Sequence, residues 1–340
     1  MNKRNYRSRF ILTFVLSACL AIFVMYLSVT NGTFDITALE VIRTLLGLDS
    51  ASDHTLVIFE FRLPRILIGA MVGFALGIAG TVLQGLTRNP LADPGILGIH
   101  AAAGLSIVIY MFVVKEAIKS AGWLSVLNMT FFGWIGGVAA TAFLILFSRQ
   151  QGRVNPRMLI LVGIALNSGF SALTLYISLK MNPQDFEMAT VWMSGSIYSA
   201  SWAQITAILP WIICFVPILI WRSSILNVLQ LDEISTMGIG VNLERERRIL
   251  LICSVALVSA SVAVSGSIGF VGLIAPHIAR RLVSIHHQYS LPISGMVGML
   301  MVLTGDFIGK TIFSPAELPA GIVIAIIGVP YFVYLLARSR

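Results

Sequence analysis

The side chains with the strongest claim to chemistry cluster near the C-terminal end. Asp306 is the one acid inside an apolar run, and Lys310 follows it at i+4. That spacing suits a local ion pair on a helix surface. A buried acid is also what an ion-coupled carrier would use as a relay, because ionisable groups are costly in lipid. The string Gly305-Asp306-Phe307-Ile308-Gly309-Lys310-Thr311 approaches a phosphate-binding loop but is one residue short. Four residues must separate the first glycine from the final Gly-Lys, and that frame puts Thr304 where glycine belongs. No strand precedes it either. His54, His100 and His277 are isolated, and the adjacent His286 and His287 cannot both point to one site on a helix, so no metal centre is expected. Cys19, Cys214 and Cys253 are scattered through apolar runs and suggest neither a disulfide framework nor a thiolate site. No Ser/His or paired-Asp constellation converges within the apolar segments. The expectation is a chain with no catalytic residue, no cofactor and no nucleotide site of its own.

The elements that must position these residues follow from composition. Of the 340 residues, 57% are hydrophobic and 11% charged, and the mean hydropathy is +0.90. Soluble domains carry about 25% charge. A soluble enzyme is excluded, and so is a nucleic-acid-binding chain, despite the formal charge of +8. The solvent for most of the chain is lipid. Lipid offers the backbone no hydrogen-bond partners, so the spanning elements must be helices.

Apolar runs predict ten spans, at about 10–29, 65–85, 95–114, 123–147, 157–179, 203–221, 249–265, 268–284, 291–309 and 320–337, within a single polytopic domain over 1–340. The eighth is the weakest, with a small-residue turn at Ser265–Gly269 before it and Pro276 inside it. The first run follows Lys3, Arg4, Arg7 and Arg9 and is longer than a typical signal-peptide core, so it reads as a retained span. Placing both termini in the cytoplasm puts 16 of the 23 basic residues inside, as the positive-inside rule requires. Thr30–Pro64 is then an outer loop. Arg222–Arg248 is an amphipathic inner loop with room for two short interfacial helices, and Lys180–Ser201 is an external connection with room for one. Gly69, Gly73, Gly77 and Gly80 mark one face of the second span for close helix packing.

Several strings then resemble a known family. Arg62-Leu63-Pro64-Arg65 leads into the glycine-rich span; Gln84 and Arg88-Asn89-Pro90-Leu91-Ala92-Asp93-Pro94-Gly95-Ile96-Leu97-Gly98 follow. Later come Gly269-Phe270-Val271-Gly272-Leu273-Ile274-Ala275-Pro276-His277-Ile278-Ala279-Arg280, then Glu317-Leu318-Pro319-Ala320-Gly321, and finally Gly328-Val329-Pro330. Together these resemble the FecCD-type permeases, the membrane subunits of ABC importers for iron–siderophore complexes, haem and cobalamin. The resemblance covers nearly the whole chain.

It implies an all-α membrane fold of the cobalamin-importer type in a bacterial cell membrane. The permease would form a dimer with a second copy or a sister permease. Two ABC ATPase subunits would dock on the cytoplasmic side and an extracytoplasmic substrate-binding protein on the other. Ferric siderophore is the implied cargo, with cobalamin or haem as alternatives; an ion-coupled carrier acting alone is the rival class. Arg62 and Arg65 match arginines that pair with glutamates on the binding protein. Lys310 stands where a third arginine is common, and lysine loses the bidentate fork. Asn89 and Leu91 match the inner constriction of the path. Leu231, Asp232, Glu233, Met237 and Gly238, within the 222–248 loop, match the segment that fits the ATPase; Asp232 departs from the family's usual glycine. Pro156 and Arg157 do not resemble the family's second gate, which stays unassigned.

Overall fold

The computed structural model describes residues 3–32, 36–48, 52–114, 123–150, 153–154, 156–231, 238, 241–314 and 316–338. In chain order its helices are α1 (Lys3–Thr30), α2 (Ala38–Leu45), α3 (Ser52–Leu56), α4 (Leu63–Thr87), α5 (Ile99–Val113), α6 (Trp123–Ser148), α7 (Pro156–Ser178), α8 (Pro183–Met193), α9 (Trp202–Trp221), α10 (Ser223–Val228), α11 (Leu243–Ser265), α12 (Val271–Leu282), α13 (His287–Ile312) and α14 (Ala320–Arg338). A π-helical turn, Val57–Arg62, joins α3 to α4. The only described strands are a two-residue antiparallel pair, Arg149–Gln150 with Arg153–Val154.

All ten expected segments carry helix, but they are unequal. Among the described residues, seven helices are long and apolar enough to cross a membrane, including Asp53–Thr87, Leu243–Ser265 and His287–Ile312; Ile99–Val113 and Ala320–Tyr334 are shorter. The eighth segment contains only the 12-residue α12. At 1.5 Å per residue it covers about 18 Å, short of a hydrocarbon core of about 30 Å. Non-helical backbone from Gly266 to Phe270 precedes it. Gly266 and Phe270 both have positive φ, +67° and +66°. Phe270 is held there by packing: a side chain on Gly328 would collide with its ring at 2.7 Å. The segment read as an outer loop at 30–64 is largely helical, and its last part extends α4 backward into one helix from Asp53 to Thr87. Of the two short helices expected in the 222–248 loop, α10 lies within the described residues, and α8 is the one expected in the 180–201 connection.

The core is built on α4 and α11. A methyl group added at Gly73 would sit 2.3 Å from the Gly298 carbonyl oxygen, at Gly77 2.2 Å from that of Ser294, and at Gly80 2.0 Å from that of Gly272. Three of the four glycines read from the sequence therefore bring α4 into backbone contact with α12 and α13. Ser294 Oγ donates to the Gly77 carbonyl at 2.8 Å, fixing the crossing. α11 uses serines instead: Ser254, Ser261 and Ser265 are buried and return their hydroxyls to the carbonyl four residues back. Such residues fit lipid-embedded packing, where close approach and internally satisfied polar groups hold helices together. By contrast α1 and α7 leave most of their apolar side chains exposed, among them Leu12, Leu16, Leu161 and Tyr176.

Candidate functional site

Polar side chains gather at the two ends of α4. The end carrying Arg62 and Arg65 also receives the C-terminal end of α13. Arg65 grips Asp306 with Nε at 3.0 Å from Oδ1 and 2.9 Å from Oδ2, and with Nη2 at 2.8 Å from Oδ1. Its Nη1 donates to Glu317 Oε2 at 2.6 Å. The Arg65 side chain is only 12% exposed, Asp306 7% and Glu317 22%. Tyr198 places its ring 5.6 Å from the guanidinium carbon. A cavity of about 330 Å³ opens here, lined by Arg65, Tyr198, Asp306 and Glu317 among others.

This arrangement corrects one expectation. Asp306 does not form the local ion pair with Lys310, because a guanidinium from another helix takes both carboxylate oxygens. Lys310 Nζ turns to the end of α1 and donates to the Ser28 and Asn31 carbonyls, each at 2.8 Å. Arg62 is buried and donates from Nη1 to the Val29 carbonyl. The three cations expected to meet a binding protein thus stand at one end of the molecule, each engaged by its own chain.

The opposite, basic end holds the other residues read from the sequence. α4 stops at Arg88, which adopts a left-handed φ of +51°. Asn89 N–H returns to the Gln84 carbonyl, closing the helix. A non-glycine residue in this region is strained, and Arg88 is held by its side chain, which donates from Nε to the Leu229 carbonyl at 2.9 Å and from Nη2 to that of Leu231. Gln230 Nε2 donates to the Gly85 carbonyl at 3.0 Å. The loop after α10 is therefore tied directly to the end of α4. Asn89 and Leu91 form the next turn, where Asn89 Oδ1 accepts from Leu91 N–H at 2.9 Å; both are partly buried. Leu231 and Gly238 are exposed. Asp232, Glu233 and Met237 lie outside the described residues.

Sequence reasoning missed three features. Glu317 stood in a recognised string without a role. Arg280 Nη2 donates to Gln84 Oε1 at 2.6 Å, again joining two such strings. Asp93 is fully buried, with Oδ1 accepting from Gly95 N–H at 2.8 Å and Oδ2 without a partner. Burial pushes its carboxyl up to about 6, partly opposed by the Gly95 and Ile96 amides. The tertiary contact of Asp93 and Pro94, in the α4–α5 turn, with Gly272 of α12 encloses it; no spacing signals that.

Among the described residues, no group of three or more His, Cys, Asp or Glu side chains could hold a metal ion. The two ends hold charges and helix termini together. Such an arrangement suits binding and motion between helices.

Comparison with known proteins agrees. The FecCD transport family model matches residues 20–338. The iron-uptake system permease protein FeuC of Bacillus subtilis (strain 168) is 48% identical over 327 residues, covering 96% of this chain and 97% of that one. The iron(3+)-hydroxamate import system permease protein FhuG of the same organism is 40% identical, covering 94% and 95%. A solved structure described as an inward-facing conformation of a metal-chelate type ABC transporter superposes with a TM-score of 0.79 at 30% identity, covering 98% of this chain and 99% of that one. With these matches over nearly its full length, the chain is a multi-pass membrane protein and belongs to the FecCD transport family.

Proposed function

We propose that this chain is the membrane-spanning permease of a binding-protein-dependent ABC importer that moves an iron–siderophore complex into the cytoplasm. The observation that carries the reading is the 48% identity with FeuC across nearly the whole of both chains; the match to FhuG, named for iron(3+)-hydroxamate, points to the same cargo class. The basic end faces the cytoplasm, as the charge distribution requires. There, two ATPase subunits engage the segment from Leu231 through Asp232, Glu233 and Met237 to Gly238. Arg88 links that segment to the Asn89–Leu91 turn, so motion of the loop reaches the inner constriction within a few residues. The opposite end, with Arg62, Arg65 and Lys310, receives the substrate-binding protein. A second permease, identical or a sister chain, completes the path, and ATP is hydrolysed by the partner chains.

Uptake of radiolabelled iron by a strain deleted for this chain, supplied as a panel of chelates, tests the cargo. Complementation should restore uptake of one ferric siderophore and leave haem and cobalamin uptake unchanged; rescue of cobalamin alone would overturn the assignment. Lys310→Glu should weaken docking of the cognate binding protein, with a loss that shrinks as salt rises. Undiminished affinity at low salt would remove Lys310 from the docking surface.

A further inference from the structure

The ends of α4, α12 and α13, with α10, enclose a cavity of about 460 Å³ at the basic end. Its wall carries Arg88, Arg280, His286 and His287, with the amides of Gln84 and Asn227. Among the described residues, no Asp or Glu lines it. Among the described residues, Arg280 meets only the neutral oxygen of Gln84, at 2.6 Å, and Arg88 meets only backbone carbonyls. The amide of Asn227 is already spent on His287: its Oδ1 accepts from the backbone N–H at 2.9 Å and lies 2.8 Å from Nδ1. Among the described residues the partly buried charge of Arg280 is therefore balanced by dipoles alone, and a cation taken out of water needs more than that, while the exposed Arg88 stands beside it at the same wall.

The rim identifies what could supply the missing charge. Ile285 belongs to the cavity wall and is 74% exposed, and Leu282, just before it, is 46% exposed. The start of α1 packs beside this wall, with Tyr6 edge-on to His286 at 5.8 Å and Phe10 at 5.6 Å from Tyr289. Arg7 and Arg9 on the same turns are exposed. The cavity thus presents arginine forks within and apolar side chains at its mouth, between helices at the cytoplasmic membrane surface. Basic pockets in that position take anionic lipid headgroups, and guanidinium matches phosphate oxygens in bidentate geometry.

We propose that this cavity binds a phosphate-class anion, and that its source is the headgroup of an anionic phospholipid. Arg280 and Arg88 hold the phosphate, while Ile285 and Leu282 lie against the first carbons of the acyl chains. The proposal rests on the cytoplasmic placement of the basic end given under the proposed function and is independent of the cargo.

The test uses the full chain purified in detergent with phosphatidylcholine and titrated with phosphatidylglycerol. Bound lipid is counted by native mass spectrometry, and the thermal midpoint is followed in parallel. Phosphatidylglycerol should be retained over phosphatidylcholine and raise the midpoint. Arg280→Gln and Arg88→Gln should each weaken its retention about fivefold. If Arg280→Gln does not fold, Arg88→Gln, an exposed position, decides. Equal retention of the two lipids, or retention unchanged in the folded variants, overturns the proposal. Inorganic phosphate that raises the midpoint as far as phosphatidylglycerol and displaces it assigns the cavity to free phosphate and overturns the lipid source.

Discussion

Arg65 and Arg280 occupy opposite ends of the same helical core and are neutralised in opposite ways. Arg65 meets two carboxylates of its own chain, one through both oxygens. Arg280 meets a single amide oxygen. The first site is electrically complete and ties α4 to α13 and to the strand of chain before α14. The second is a cation among neutral oxygens, close to the loop that follows α10. Charge that is closed on itself makes a rigid joint; charge left open makes a place where something outside the chain can bind. The comparison also changes how the proposed docking role of Arg65 is read, since its guanidinium already holds two carboxylates of its own chain.

Breaking the complete end should have the largest effect. Arg65→Ala leaves the buried Asp306 carboxylate without its cation, and loss of one member of such a pair costs about 3–5 kcal/mol. Thermal unfolding in detergent should show a large drop, with Asp306→Asn in the same chain recovering part of it. An unchanged midpoint for Arg65→Ala would dissolve the contrast between the two ends.

Gln84→Leu sharpens it from the other side. It removes the one side-chain acceptor that Arg280 has among the described residues, and a charged group deprived of a hydrogen bond costs about 2 kcal/mol. Added phosphatidylglycerol should offset more of this loss than of the Arg65→Ala loss. Equal rescue of both variants would mean the lipid acts through the membrane as a whole.

The smallest effect is expected from pH. Folding raises the Asp93 carboxyl from 3.8 to about 6. The folded chain therefore holds a proton that the unfolded chain has released, and stability falls as pH rises through that window. Between pH 5 and 7.5 the loss should be about 1 kcal/mol. Asp93→Asn, which keeps an acceptor for the Gly95 amide, should flatten this slope. A slope unaltered in that variant would place the titrating group elsewhere.

Much of the architecture was legible before any coordinates. Long apolar runs dictate helices because lipid leaves no other way to satisfy the backbone, and the small-residue spacing of Gly73, Gly77 and Gly80 marks the face that meets α12 and α13. The strings around Arg62, Asn89, Arg280 and Glu317 were visible as motifs. Their partners were not. Lys310 at i+4 from Asp306 invited a local pair, yet the carboxylate lies closer to a guanidinium 241 residues away in sequence. The eighth segment looked like a weak span, and packing against Gly80 and Gly328 leaves it as a short helix entered through non-helical chain.

Hydropathy and residue spacing alone determined that this chain lives in lipid and crosses it repeatedly as helices, because those properties depend on local composition and period. Which charge meets which, where a carboxylate is sealed from water and where a cation is left open were decided by the tertiary fold alone. Those are distances between segments far apart along the chain, and electrostatic energy depends on separation in space.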